Sequence, residues 1–299
     1  MNRLLLHLFS RAIQLELIHA LERLQHVYMT QPMQYNKVKN DPDAQTYDYL
    51  DFLNGTVVVK DKAVNTFYSY KFIGLSPLSG GPVFDDYEER QHELDGLSKY
   101  ETFKKVLTAS GRREPYMSGN LTTNLSYKNI RLSGTFAYSL GAKVRLFQMY
   151  RSELIAPESN LRRELLDRWQ NPGDEKHTNI PAVIGRYEPY YFTYNEHWSQ
   201  TSYYNVQPFA SSLWNMYDYS DLRVVSGNYL KCNNLMVTYE FGERILSQLR
   251  MTRLALSLSG TNLFTISSKK LKGQTPTQGF TEVSLSDRPT YSFSLSVSF

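Results

Sequence analysis

The sequence has a single cysteine, Cys232, so no disulfide can close within it and the redox state of its compartment stays unread. Long apolar runs are missing as well. The longest near the start is Leu4–Leu6, with Leu8 and Phe9 following His7, far short of the roughly 20 apolar residues that a spanning helix needs. The same stretch fails as a secretory leader, because Arg3 and Arg11 bracket too short a core and no small-residue cleavage site follows. An exported protein with this start is expected to have lost its targeting segment, or else the chain is a piece of something longer. Excess charge is lacking too: a net +4 over 299 residues gives no case for nucleic acid as a partner.

Catalytic and metal signatures are equally scarce. The six histidines show no close pair at metal-ligand spacing. Asp85, Asp86, Glu88 and Glu89 form an acidic turn without the ligand spacing of a calcium loop. Ser267 and Lys270 have S-x-x-K spacing but lack the companion motifs of that enzyme class. No phosphate-binding loop, nucleophile elbow or dinucleotide fingerprint occurs. The expectation is a protein that is not an enzyme and that needs neither metal nor cofactor.

What the chain does have is aromatic residues and period-two patterning. Tyr and Phe number 23 and 15. Leu121, Thr123, Leu125 and Tyr127 alternate with polar residues, Lys128-Asn129 interrupts, and Ile130, Leu132, Phe136 and Tyr138 restart the phase. Two alternating runs around a two-residue polar break make a hairpin. Leu235, Val237, Tyr239 and Phe241 form a further strand, and Leu254, Leu256 and Leu258 another. Tyr291, Phe293, Leu295, Val297 and Phe299 alternate with serines throughout, the cleanest such run in the chain. Residues 1–34 differ. Leu6, Phe9, Ile13, Leu17, Leu21 and Leu24 recur at helical spacing, which predicts a packed helix; a helix on a membrane surface would need a basic face that is absent. Residues 31–115 and 141–226 are long, turn-rich excursions. Short β-prone pieces sit at Val57–Val59 and Thr66–Phe72, and short helices are expected at Leu97–Leu107 and at Asn160–Trp169, the latter capped by Ser159.

Alternation also suits a soluble sandwich. Three features favour an antiparallel transmembrane β-barrel segment with long extracellular loops, the C-terminal strands of an incomplete barrel occupying 35–299. Nine tilted residues cover roughly 23 Å, close to the apolar band of bacterial barrels. Connections alternate short (128–129, 242–248) and long (141–226, 263–287), as such barrels require. The last strand ends on Phe299, with Tyr291, Phe293, Leu295 and Val297 at every second position before it, like the signal read by the outer-membrane barrel assembly machinery.

Specific phrases then resemble the SusC/RagA family of TonB-dependent outer-membrane transporters. They are Asn65-Thr66-Phe67-Tyr68-Ser69-Tyr70, Gly74-Leu75-Ser76-Pro77 and Gly80-Gly81-Pro82; then Arg168-Trp169-Gln170-Asn171-Pro172-Gly173-Asp174 with Ile180-Pro181; then Tyr229-Leu230-Lys231, Asn234-Leu235 and Tyr239; and last Asn262-Leu263-Phe264-Thr265 and Arg288-Pro289-Thr290-Tyr291. Ala182 and Lys231 stand where the family more usually has arginine. The resemblance covers 65–299 and implies a barrel of about 22 strands around a plug, in the outer membrane of a Gram-negative bacterium. It also implies outer-membrane lipid around the wall, a SusD-like surface lipoprotein as lid, and TonB acting through an N-terminal part missing here. A chain with five clear strands, and a sixth near Tyr35 or Thr66–Phe72, is not expected to transport anything alone.

The implied activity is import of oligosaccharides or other large nutrients; the alternative is a soluble all-β glycan-binding protein. Tyr190, Tyr191, Tyr194, Trp198, Tyr203 and Tyr204 are the candidate substrate residues, because such rings stack on sugar faces. The same residues also suit loop packing or an aromatic girdle. Arg168, Trp169, Pro172, Gly173 and Asp174 are expected to fix a turn rather than touch substrate.

Overall fold

The alternating runs of the second half lie side by side in one antiparallel sheet. The computed structural model describes residues 26–29, 37–40, 47–150, 161–185, 187–195, 197–198, 212–278 and 288–299. Its strands are β1 (His26–Met29), β2 (Thr66–Ser69), β3 (Phe72–Leu75), β4 (Pro82–Phe84), β5 (Thr108–Arg112), β6 (Met117–Tyr127), β7 (Ile130–Leu140), β8 (Lys143–Arg145), β9 (Val224–Ser226), β10 (Tyr229–Glu240), β11 (Arg253–Ser267) and β12 (Thr290–Ser298). Six of them form the large sheet in the order β1-β6-β7-β10-β11-β12. Three two-stranded sheets, β2-β5, β3-β4 and β8-β9, belong to the connections.

Register decides what the large sheet presents. Leu125, Leu132, Val237, Leu258 and Phe293 stand directly opposite one another across five strands. The next row on that face is Tyr127, Ile130, Tyr239, Leu256 and Leu295. Beyond an irregularity between Cys232 and Asn234, the row Leu121, Phe136, Cys232 and Phe264 keeps the same phase. On the opposite face, Ser126, Arg131, Thr238, Ser257 and Ser294 align, as do Asn124, Ser133, Met236, Ser259 and Ser292. Because the side-chain period is two, a one-residue slip in any strand would exchange the faces for that strand. The bulge in β10 adds a residue and so keeps its apolar positions in step with β7.

The apolar face is uncovered. Leu258, Phe293 and Ile266 are 56%, 70% and 61% exposed, and Phe299 85%. Among the described residues of the five long strands, Cys232 and Ala255 are the buried apolar side chains. The core therefore lies elsewhere, in the connections. All long connections of the sheet leave from one end, and the two short ones, 128–129 and 241–252, lie at the other. The long connections pack into a lobe around Phe52, Tyr70, Phe103, Met149, Trp214 and Tyr217. Its rings meet edge-on, with Phe52 5.2 Å from Tyr68 and 5.9 Å from Phe103. Two capping boxes start its helices: Asp48 with Asp51 before Tyr49–Asn54, and Ser98 with Glu101 before Lys99–Val106.

Several expectations change. The chain is mostly β with short helices rather than all β; among the described residues the six-stranded sheet is open, which is compatible with the incomplete segment expected. The sixth strand is His26–Met29, within the segment 1–34 that periodicity assigned to a helix; the heptad-like positions Leu6 to Leu24 lie outside the described residues, as does Tyr35. Thr66–Ser69 pairs with β5 in the lobe, because all four of its residues are buried there. The helix expected at Asn160–Trp169 is only a 3-10 turn, Arg163–Asp167, preceded by Arg162 with no side-chain cap; Ser159 lies outside the described residues. The connection after β10, expected to be short, carries the helix Glu243–Leu249. Val57 and Val59 are buried without joining a sheet.

The hairpin turn is fastened to the third strand. Asn129 Nδ2 donates to the Glu240 carbonyl at 2.7 Å, and the Glu240 N–H donates to the Asn129 carbonyl at 2.8 Å. Asn129→Ala removes the first bond and is expected to cost about 1 kcal/mol, read as a lower denaturant midpoint for the full chain in detergent. An unchanged midpoint would mean that water replaces this bond without loss.

Candidate functional site

The sequence phrases that lie far apart in the chain meet in the lobe. Gly80, at φ +65°, lies flat against the Trp169 indole, where an added Cβ would sit 2.3 Å from the ring. Gly81 lies equally close to the Tyr194 ring. The Ala182 N–H donates to the Gly80 carbonyl at 3.0 Å, and the Trp169 N–H to the Ile180 carbonyl at 2.9 Å. Trp214 Nε1 donates to the Ala182 carbonyl and the Tyr150 hydroxyl to the Pro181 carbonyl. The glycine pair, the tryptophan turn and the Ile-Pro step thus form one packed unit.

The turn itself is built by Asp174. Its Oδ2 accepts the N–H groups of Gln170 and Asn171 at 3.0 and 2.9 Å. Those bonds hold the carboxyl below its ordinary range. Gly173 supplies φ +108°, and Pro172 precedes it. Trp169 Nε1 reaches Glu175, and Arg168 Nη1 donates to the Leu165 carbonyl. All of these partners are structural ones.

The aromatic segment divides in two. Tyr194 and Trp198 are buried, each tied to the opposite wall: the Tyr194 hydroxyl donates to the Ser79 carbonyl at 2.7 Å, and Trp198 Nε1 to Asp86 Oδ2 at 3.1 Å. Burial pushes the Tyr194 hydroxyl up to about 12. His197 Nε2 also meets Asp86 Oδ2, at 2.8 Å. Tyr190 and Phe192 are exposed, Tyr187 is 97% exposed, and Tyr191 is half-buried against the Trp214 ring. Tyr203 and Tyr204 lie outside the described residues. A cavity of about 430 Å³ opens beside this segment, and Asp85, Asp86, Glu88, Tyr194 and His197 are among its lining. The acidic turn and the aromatic run, 111 residues apart at the Asp86–His197 contact, were not connected by any sequence signal.

Buried charge was the other omission. Glu164 accepts Arg223 Nη1 at 3.0 Å, Lys272 Nζ at 2.9 Å and, through its other oxygen, Arg162 Nη2 at 3.0 Å. Burial alone would raise this carboxyl, but the Arg223, Lys272 and Arg162 charges outweigh it and hold it down to about 2. Asp218 accepts the N–H groups of Met149 and Tyr150, and burial pushes it up to about 6. Among the described residues, no three His, Cys, Asp or Glu side chains are placed to hold a metal ion, and no helix is long and apolar enough to cross a membrane.

Fold and lobe together define a class: an open antiparallel sheet with one apolar and one polar face, its loops gathered at one end. No protein-family model matches the sequence, and no curated protein does. Solved structures do match. A chain of the RagAB peptide importer in its 'open-open' state is 16% identical, with a TM-score of 0.50, over 91% of this chain and 26% of that one. The RagAB peptide transporter gives 17%, 0.52, 91% and 27%, and the 'closed-closed' importer 16%, 0.51, 91% and 27%. This chain spans about a quarter of the length of those chains. At such identity the likeness is one of fold.

Two measurements check the lobe. Gly80→Ala forces a methyl group into Trp169 at positive φ and is expected to cost more than about 2 kcal/mol. Gly173→Ala, where nothing lies within 4 Å of the new Cβ, should cost only about 1 kcal/mol of backbone strain. Equal losses would mean that the indole contact does not matter. In acid, the Glu164 carboxyl is lowered relative to the unfolded chain, so its stabilising contribution is complete above the ordinary Glu value and fades as pH falls toward about 2. Glu164→Gln should flatten that part of the stability–pH curve.

Proposed function

We propose that this chain forms part of the wall and outer loops of a SusC/RagA-type importer in the outer membrane of a Gram-negative bacterium. The observation that carries the reading is the uncovered apolar face. Each large apolar side chain left in water forgoes roughly 1.5–3 kcal/mol of burial, and contiguous open patches of this extent are rare on soluble monomers. Lipid tails satisfy such a face, while the serine-rich face meets a wet lumen. Strands of 11 residues, tilted as barrel strands are, reach about 28 Å and so suffice to cross. The open sheet edges and the quarter-length match to the RagAB chains support a larger barrel completed by further polypeptide.

On this reading the lobe faces outward, where a SusD-like lipoprotein covers it, and TonB acts through parts outside this sequence. The cargo is a large nutrient, an oligopeptide or an oligosaccharide, and exposed Tyr190 and half-buried Tyr191 are the aromatic residues placed to meet it. We assign the chain no catalytic step and no cofactor. The soluble alternative would require a second layer over the apolar rows, and the described residues supply none.

Leu258→Arg places a charge on the proposed lipid face and should cost about 2–4 kcal/mol, whereas the neighbouring Ser257→Arg points into the lumen and should be tolerated. The readout is the amount of full-length chain in the outer-membrane fraction. Equal yields of the two variants would contradict the assignment of faces. Import is tested by uptake of labelled oligopeptides and oligosaccharides in cells with and without the chain and with and without TonB; uptake of both that is indifferent to either loss would rule it out.

A further inference from the structure

Between the lobe and the polar face of the sheet lies a cleft of about 670 Å³, a volume that suits a drug-sized ligand or a segment of a longer one. Its floor is set by register: Ser118 pairs with Ser139, and Ser139 with Tyr229, all in phase with the serine rows. The charged side chains that line it are Arg113, Lys143 and Arg145, and no Asp or Glu is among the lining. A smaller cavity of about 200 Å³ continues along the same face past Tyr229 and adds Lys231. Among the described residues, every charged group along this path is a cation.

The cations are fixed in place. Arg145 is buried, and its guanidinium donates to the carbonyls of Tyr68 at 2.8 Å, Leu53 at 3.3 Å and Ser220 at 3.4 Å. Arg113 Nη2 donates to the Asn54 carbonyl at 3.1 Å. Leu53 and Asn54 close the helix Tyr49–Asn54, whose C-terminal carbonyls favour positive charge. The Lys143 stem packs over Gly111, at φ +129°, where a Cβ would lie 2.5 Å from the lysine Cγ; the residue itself is exposed. Burial pushes the Arg145 guanidinium down to about 9, and the Arg113 charge pushes the same way. Asp218 opposes this from the core, where its oxygens already hold two backbone N–H groups. Like charges gathered on one cleft repel, and an anion between them relieves the repulsion.

We propose that this cleft binds carboxylate groups of the cargo, so that the chain handles acidic oligomers: acidic peptides or uronic-acid oligosaccharides, which present the same group. The inference rests on the import reading, since it takes the polar face as a lumen.

The test uses the full chain in detergent micelles and four labelled probes: a Glu-rich hexapeptide, its Gln counterpart, a uronic-acid hexasaccharide and its neutral counterpart. An acidic probe should bind about tenfold tighter than its neutral partner, with affinity falling as salt rises. The double variant Arg113→Gln, Lys143→Gln changes two exposed residues and should lose that preference; Arg244→Gln, in the connection at the far end of the sheet, should keep it. Preference for the acidic peptide alone assigns a peptide cargo, and for the uronide alone a glycan. Equal affinity for acid and neutral probes, or a preference that survives the double variant, overturns the proposal. The import reading is judged separately, by uptake and by the membrane yields of the Leu258 and Ser257 variants, so its failure is distinguishable from a failure of the cleft alone.

Discussion

The register of five antiparallel strands is the constraint from which the rest of this structure follows. Because Leu125, Leu132, Val237, Leu258 and Phe293 stand in one row, and Ser126, Arg131, Thr238, Ser257 and Ser294 in the next, the sheet has one apolar and one polar face. A sheet that keeps one face greasy and the other wet has no interior of its own. Ordinary globular folding is therefore displaced into the connections, where Phe52, Phe103, Trp214 and Tyr217 build a core. Both families of residues are aromatic-rich, but they answer different needs. On the sheet the rings face outward in register. In the lobe they turn edge-on to one another.

The lobe in turn depends on buried polar groups that are individually matched. Asp86 is shared by His197 and Trp198, Asp218 by two backbone amides, and Glu164 by Arg223, Lys272 and Arg162. Each fixes one loop segment against another: the 85–89 turn to the aromatic run, the 146–150 segment to the helix Leu213–Asp218, and the 3-10 turn at 163–167 to Arg223, just before β9, and to the loop after β11. Such groups are costly to bury and costlier to orphan, which makes the loop arrangement specific rather than merely sticky. Long loops need that specificity, since loops without it would sample many arrangements.

What was legible in the sequence divides along the same line. The hairpin at Lys128-Asn129 and the strands from Leu235 and Leu254 onward could be read because period-two patterning is local, and so could the final strand with its serines. The pairing of β1 could not: four residues, His26–Met29, carry too little pattern to outweigh the helical spacing before them. In the lobe, the short helix expected at Leu97–Leu107 forms over Lys99–Val106, and the structure shows it started by the Ser98–Glu101 capping box. By contrast, nothing local marks Asp86 as the partner of residues 111 and 112 positions away. The glycine pair at 80–81 was visible as a phrase, but its purpose, contact with Trp169 and Tyr194, appears only in three dimensions. Arg113, Lys143 and Arg145 came from two different excursions, so the all-cationic cleft had no linear signature.

An open sheet of this kind is not a resting place in either solvent. In water, the apolar rows invite association; in lipid, the free edge of β12 leaves N–H and C=O groups without partners, at several kcal/mol each. Closure removes both costs at once, since the edges pair and the apolar rows become the outside of a cylinder. Among the described residues the sheet has six strands, fewer than the eight of the smallest membrane barrels. On the proposed reading, additional strands would close the sheet. The RagAB chains that share this fold are roughly four times as long as the stretch matched here.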